Sequence, residues 1–287
     1  MSFMQPPVQQ PPQVTQSITI FPNPTAGEFG LVGATAKGSS TDAGASLGPI
    51  STADADQPHI RFDTSIGGGI YEIQLPGGEW DELIPYGQGT GPNVATDSTG
   101  DVQLVLSGSR DNGYKYSEVA SYIATGPQQF GAIAFGTLTA AGGVPVTGSA
   151  TYSGTVMGSS DVIASDAFDG LNRATVSGSV SLDFDFAAGT LGGAMTVALD
   201  DASGASLPIG TFNFKDTVFG VGSTGYSGKF DTAAAGDNFF LGKFTGPNAE
   251  ETIGAWALPF ILDSGNATIT ADHMNHQLFG AWIAKRP

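Results

Sequence analysis

Residues 174–186 read "ATVSGSVSLDFDF", and the fold is decided by how these thirteen residues divide between two faces. Val176, Val180, Leu182, Phe184 and Phe186 fall on one side of an extended chain, and Thr175, Ser177, Ser179, Ser181, Asp183 and Asp185 on the other. That period of two is the pattern of a half-buried strand. Working outward, the runs 147–158, 190–199, 208–216, 225–231, 238–245, 253–260 and 277–285 repeat the pattern with short connections, giving eight strands. Eight sequential antiparallel strands can close into a barrel, which removes the exposed edges and fills the interior with side chains. The glycines recurring in "YSGTVMG", "VSGSV", "YSGKF" and "LFGAW" suit bulges and tight bends in such a wall.

Composition agrees with an all-β chain. Of 287 residues, 42 are Gly and 17 are Pro, which disfavours helix interiors. The 10 Lys and Arg stand against 27 Asp and Glu, and a formal charge of -17 repels phosphate backbones and anionic lipid, so nucleic acid is not an expected partner. No run is long and apolar enough for a spanning helix. With no Cys, disulfide frames and thiolate metal sites are excluded.

The first half is organised differently. Residues 1–16 are rich in Gln and Pro and read as a flexible tether behind a start from which a signal has been removed. "SITIFPNP", "HIRFDTS", "GIYEIQLPGGEW" and "GDVQLVLSGSR" are short β runs between turn residues, so 17–135 is expected to form a smaller β-rich domain ahead of a barrel over 136–287. Segment 34–58 has almost no large apolar residue and is expected to be a long surface loop.

The most specific motif is "GKFTGPNAEETIGAW", residues 242–256. With "TGSATYSGTVMG", "SGSVSLDFDF" and the closing "LFGAWIAKR", it resembles the β-barrel domain of the transferrin-binding protein B family of Gram-negative surface lipoproteins. Gly242, Phe244, Gly246, Pro247, Ala249, Glu250 and Gly254 fall in the order of the family motif, and the likeness covers residues 130–287. The resemblance implies a single lobe of handle plus barrel and a non-enzymatic binding function: capture of iron, haem or another small nutrient for an outer-membrane transporter. It implies no cofactor. It also implies membrane attachment through a lipidated cysteine that this sequence lacks, so the expectation is a lipid-anchored or a secreted protein. Rival readings are a hemophore-like carrier and a structural or adhesive surface protein.

Read chemically, Gly246-Pro247 makes a turn, and the carboxylates of Glu250 and Glu251 are expected to accept hydrogen bonds from loop amides. Catalysis by this pair would need a partner group and a pocket. His273 and His276 are three apart, which on a strand sends the rings to opposite faces, so a solvated hairpin turn is preferred to a metal site. The serines lie in no nucleophile elbow. Aromatics interleaved with charge occur at "GGEWDELIPYGQG" and "SRDNGYKYSE", which makes Trp80, Tyr86, Tyr114 and Tyr116 the candidate ligand-binding residues.

Overall fold

The structure is a computed structural model and describes residues 20–21, 23–38, 47–65, 69–85, 94–163, 173–201, 203–262 and 275–287. Its second half is a closed barrel of eight antiparallel strands in sequence order. In the wall are β12 (Ser149–Ile163), β13 (Arg173–Asp185), β14 (Thr190–Asp200), β15 (Ser206–Val218), β16 (Gly225–Phe230), β17 (Phe239–Thr245), β18 (Glu251–Ile261) and β19 (Asn275–Lys285). β19 returns to β12 with Gly280 opposite Gly158, which closes the wall. The interior holds the side chains that the alternation of residues 174–186 assigns to it: Val176, Val180, Leu182, Phe184 and Phe186 are all buried in one core. Around Phe184 the rings of Tyr152, Phe186, Tyr226 and Phe244 lie within 4.9–5.8 Å, centroid to centroid.

Several strand glycines also serve as sockets for aromatic rings, a role the expected bends did not include. Gly242 and Gly254 face each other across β17 and β18. A Cβ on Gly242 would lie 2.2 Å from the Tyr226 ring, and one on Gly254 would lie 2.2 Å from the Trp282 indole. The two rings meet over this pair, Trp282 Nε1 donating to the Tyr226 hydroxyl at 3.4 Å. Gly158 and Gly280 make the same kind of room for Trp256. Large aromatics thus fit the barrel because the residue paired with each on the neighbouring strand has no side chain. Register shifts lie between Ser159 and Ile163, just past Gly158, between Val197 and Ala198, and between Lys215 and Val218, opposite Gly228, as bulges at strand glycines would have it.

The first half is a two-layer β sandwich. One sheet orders β1 (Gly27–Glu28), β4 (His59–Asp63), β5 (Ile70–Gln74) and β6 (Trp80–Glu82) side by side. The other runs β3 (Ile50–Ser51), β2 (Gly30–Lys37), β11 (Gln129–Gly136), β10 (Ser117–Ala124), β9 (Val102–Leu106), β8 (Val94–Thr96), β7 (Ile84–Pro85). Between them lies a core that includes Phe21, Phe29, Ile60, Tyr71, Ile73, Leu104, Tyr122 and Phe135. Ile20 and Phe21 contribute to it without being in a strand, unlike the strand expected over "SITIFPNP"; residues 17–19 lie outside the described residues, as does the tether.

The second sheet turns its other face to the barrel. Val32, Ala34, Ala36, Val119, Phe130, Ala132 and Ala134 pack on the outward side chains of β18 and β19, namely Ile253, Ala255, Ala257, Phe279, Ala281 and Ile283. This corrects the reading of residues 34–58 as a surface loop. Ala34–Lys37 complete β2, Ile50–Ser51 pair with it, Asp54–Asp56 form a short 3-10 turn, and residues 39–46 lie outside the described residues. The physical reason is that small residues here are core: alanine on alanine lets two sheets approach closely. β18 is consequently buried on both faces over Glu251–Phe260.

Candidate functional site

On β4, β5 and β6, alternate residues point away from the sandwich core, and therefore away from the barrel. Trp80 sits opposite Gln74, and Glu82 opposite Glu72. The Arg61 guanidinium lies 4.4 Å from the centre of the Trp80 ring and donates from Nε to Glu72 at 2.6 Å. His59 pairs with Glu28 on the same face. A half-buried indole, held by a cation that a carboxylate orients, is therefore displayed on the face of the handle farthest from the barrel.

The other candidate residues are elsewhere. Tyr86 lies outside the described residues. Tyr114 is buried at the handle–barrel junction, where its hydroxyl donates to the Ile283 carbonyl at 3.4 Å and the Lys285 ammonium lies 4.9 Å from its ring centre. It does not face solvent as its interleaving with charge suggested, because the barrel wall covers it. Tyr116 is half-buried beside it and packs against Gly246. Structure therefore separates Trp80 from the two tyrosines by the thickness of the sandwich.

The 242–254 motif builds this junction. Gly246 and Ala249 both take left-handed φ angles, 84° and 56°, to make the turn. The turn is tied to the segment entering the barrel by Gly246 N to the Thr137 carbonyl at 2.9 Å and Thr139 Oγ1 to the Gly246 carbonyl at 2.7 Å. Inside, the Tyr152 hydroxyl donates to the carbonyl of buried Ala249. The Glu250 carboxylate accepts from the Asn248 backbone and side-chain amides, both at 2.8 Å. Burial alone would raise its pKa, but these bonds and nearby Arg286 hold it below the usual range. Glu251 crosses the junction: it is 3% exposed and accepts from Lys115 N at 2.7 Å, Tyr116 N at 3.0 Å and the Ser117 hydroxyl at 2.5 Å. Both carboxylates are held by backbone amides, with those for Glu251 supplied by the other domain, a partnership that no local pattern could have signalled.

A second buried carboxylate, Glu118, accepts from the Ser107 hydroxyl at 2.6 Å and from the backbone amides of Ser109 and Val119. Burial pushes its pKa up, with the hydrogen bonds opposing. His276 lies in β19 and not in a turn, its ring 3.2 Å from Asp161 and against Phe260; His273 is outside the described residues.

Burial, then the charges of Glu251 and Glu118, pushes the Tyr114 phenol up to about 12, and burial first does the same for Tyr71 and Tyr152. The folded state holds these protons more tightly than the unfolded chain, whose phenols titrate near 10. Their contribution is fully present below pH ~10 and is lost as the pH rises toward ~12. Alkaline titration should therefore show their phenolate absorbance appearing together with loss of β circular dichroism. Smooth titration at the ordinary phenol value with the fold intact would contradict this.

Comparison with known proteins follows the same division. Residues 144–286 match the family model described as the C-lobe and N-lobe beta barrels of Tf-binding protein B. No curated protein matches the chain. Among solved structures, a Trp-176-Ala mutant of Transferrin Binding Protein B from Haemophilus parasuis is 17% identical with a TM-score of 0.46, covering 89% of this chain and 45% of that one. HpuA from Kingella denitrificans, in complex with human haemoglobin, is 14% identical with a TM-score of 0.44, covering 93% of this chain and 91% of that one. The chain thus spans about half the length of the first of these.

Proposed function

Since residues 144–286 place the barrel of this chain in the family of Tf-binding protein B lobe barrels, we propose that the protein is a non-enzymatic binding module of the Gram-negative cell surface that captures a host iron- or haem-carrying protein. The observation that carries this reading is the division of labour between the halves. The barrel interior is occupied by packed aromatic rings, and one outer wall of the barrel is committed to the handle, whereas the distal handle sheet presents Trp80 on Arg61. An indole preorganised beside a charge is the type of group that anchors protein interfaces. We assign the anchor role to Trp80 first, with Tyr116 at the junction rim second; Tyr114 is already engaged by the barrel. The family supports a place at the outer membrane, lipid-anchored or secreted, with an outer-membrane transporter as the recipient of the cargo. The formal charge of -17 favours a partner with a basic or neutral face.

Immobilised protein should bind human transferrin or human haemoglobin saturably, with free haem as the arm that tests a direct carrier role. Trp80→Ala should weaken protein binding by about a hundredfold, the worth of one anchoring aromatic, while circular dichroism stays unchanged. Equal affinity in Trp80→Ala and Arg61→Ala variants would remove the distal face from recognition. Binding of free haem alone would replace protein capture with a carrier.

A further inference from the structure

A cleft of about 430 Å³ opens between the handle and the barrel, on the side where β19 ends. Lys115 and Tyr116 line it from the handle, and Glu250, Glu251, Lys285 and Arg286 from the barrel side, with Gly113 and Pro287 at its edge. Three of the 10 Lys and Arg residues of an acidic protein thus line one opening. We propose that this cleft binds a small oxyanion carrying two or more negative charges, such as inorganic phosphate or a polycarboxylate.

Each cation is placed for this by the fold. Lys285 is held over Tyr114 and donates to the Asn112 carbonyl at 2.6 Å. That bond uses one of its three ammonium protons. Arg286 donates from one terminal nitrogen to the Asn248 carbonyl at 3.1 Å, which leaves most of its guanidinium donors. Lys115 is exposed, and its ammonium has no hydrogen bond or ion pair among the described residues. Glu250 and Glu251 also line the cleft, and their charges, that of Glu250 lying near Arg286, offset part of the charge of the three cations. Glu251 already accepts from Lys115 N, Tyr116 N and Ser117 Oγ, and Glu250 from Asn248, so their hydrogen bonds run to the protein's own donors and the cations keep unused ones. Ammonium and guanidinium groups with unused donors, on residues lining one opening, match the several acceptor oxygens of a compact oxyanion. A chloride ion, with a single charge and no fixed geometry, would use few of these donors.

The test is calorimetric titration of inorganic phosphate and, separately, citrate into the whole protein at constant ionic strength in chloride buffer. Saturable binding of one anion per chain is expected, with citrate or phosphate preferred according to which fits the cleft. Lys115→Ala and Arg286→Gln should each weaken it by about tenfold, the equivalent of one lost charge-assisted bond. Lys229→Ala, at the exposed position of β16, should leave it unchanged. Lys115 makes no side-chain bond that supports the fold, so its variant separates loss of binding from loss of structure. Absence of saturable heat from both anions, or affinity unchanged in Lys115→Ala, overturns the proposal. Binding weakened equally by Lys229→Ala overturns it too, since that is a general response to net charge.

Discussion

Replacing Trp282 with alanine is expected to destabilise the protein by about 3–5 kcal/mol, the usual cost of emptying a core site of a large aromatic. Trp282 is fully buried, faces Phe214 and Phe240 at centroid separations of 6.3 and 5.8 Å, and occupies the socket made by Gly254. The wall around it consists of hydrogen-bonded strands, so the cavity cannot collapse by moving the backbone. Loss of the indole also deprives the Tyr226 hydroxyl of a donor, although Thr252 remains at 2.7 Å. The reciprocal change, Gly254→Val, should be comparably damaging because its side chain would occupy the space of the indole. Trp256→Phe provides a contrast: its Nε1 finds no acceptor among the described residues, so removing that nitrogen offsets part of the lost packing. Urea unfolding of the three variants would check this, and a Trp282→Ala protein as stable as wild type would mean that the barrel interior is not packed as described.

Glu251→Ala should cost about 3 kcal/mol, because it strands one buried and two partly buried donors at roughly 1 kcal/mol each. Those donors belong to Lys115, Tyr116 and Ser117, so the loss falls on the attachment of handle to barrel. Glu251→Gln should retain part of the effect, since an amide offers one acceptor oxygen where the carboxylate offers two. Glu250→Gln should be much milder, because Glu250 is only half-buried and its bonds run to Asn248 within the same turn. Denaturant melts read by tryptophan fluorescence, with limited proteolysis to detect a loosened handle, would measure the difference. If Glu251→Gln abolished binding of a host protein and left melting unchanged, the carboxylate would be part of the recognition site and not a brace.

Sequence alone determined the architecture of the second half. Strand alternation is a local property, and in residues 174–186 it names the inward side chains correctly because one face of that strand meets the core and the other meets water. The 242–254 motif likewise disclosed a turn and a family, since glycine, proline and a carboxylate constrain a few consecutive backbone angles. Tertiary structure alone decided what docks on what. Trp80 and Tyr114 look alike in sequence, each an aromatic beside charge, yet one is displayed and the other lies beneath the barrel. Alanines of residues 34–36 looked like loop and are interface. Glu251 reaches partners 134–136 residues away along the chain. A side chain's periodicity reports whether its strand has a dry face, but which surface keeps that face dry depends on the packing of two domains, and no window of neighbouring residues contains that information.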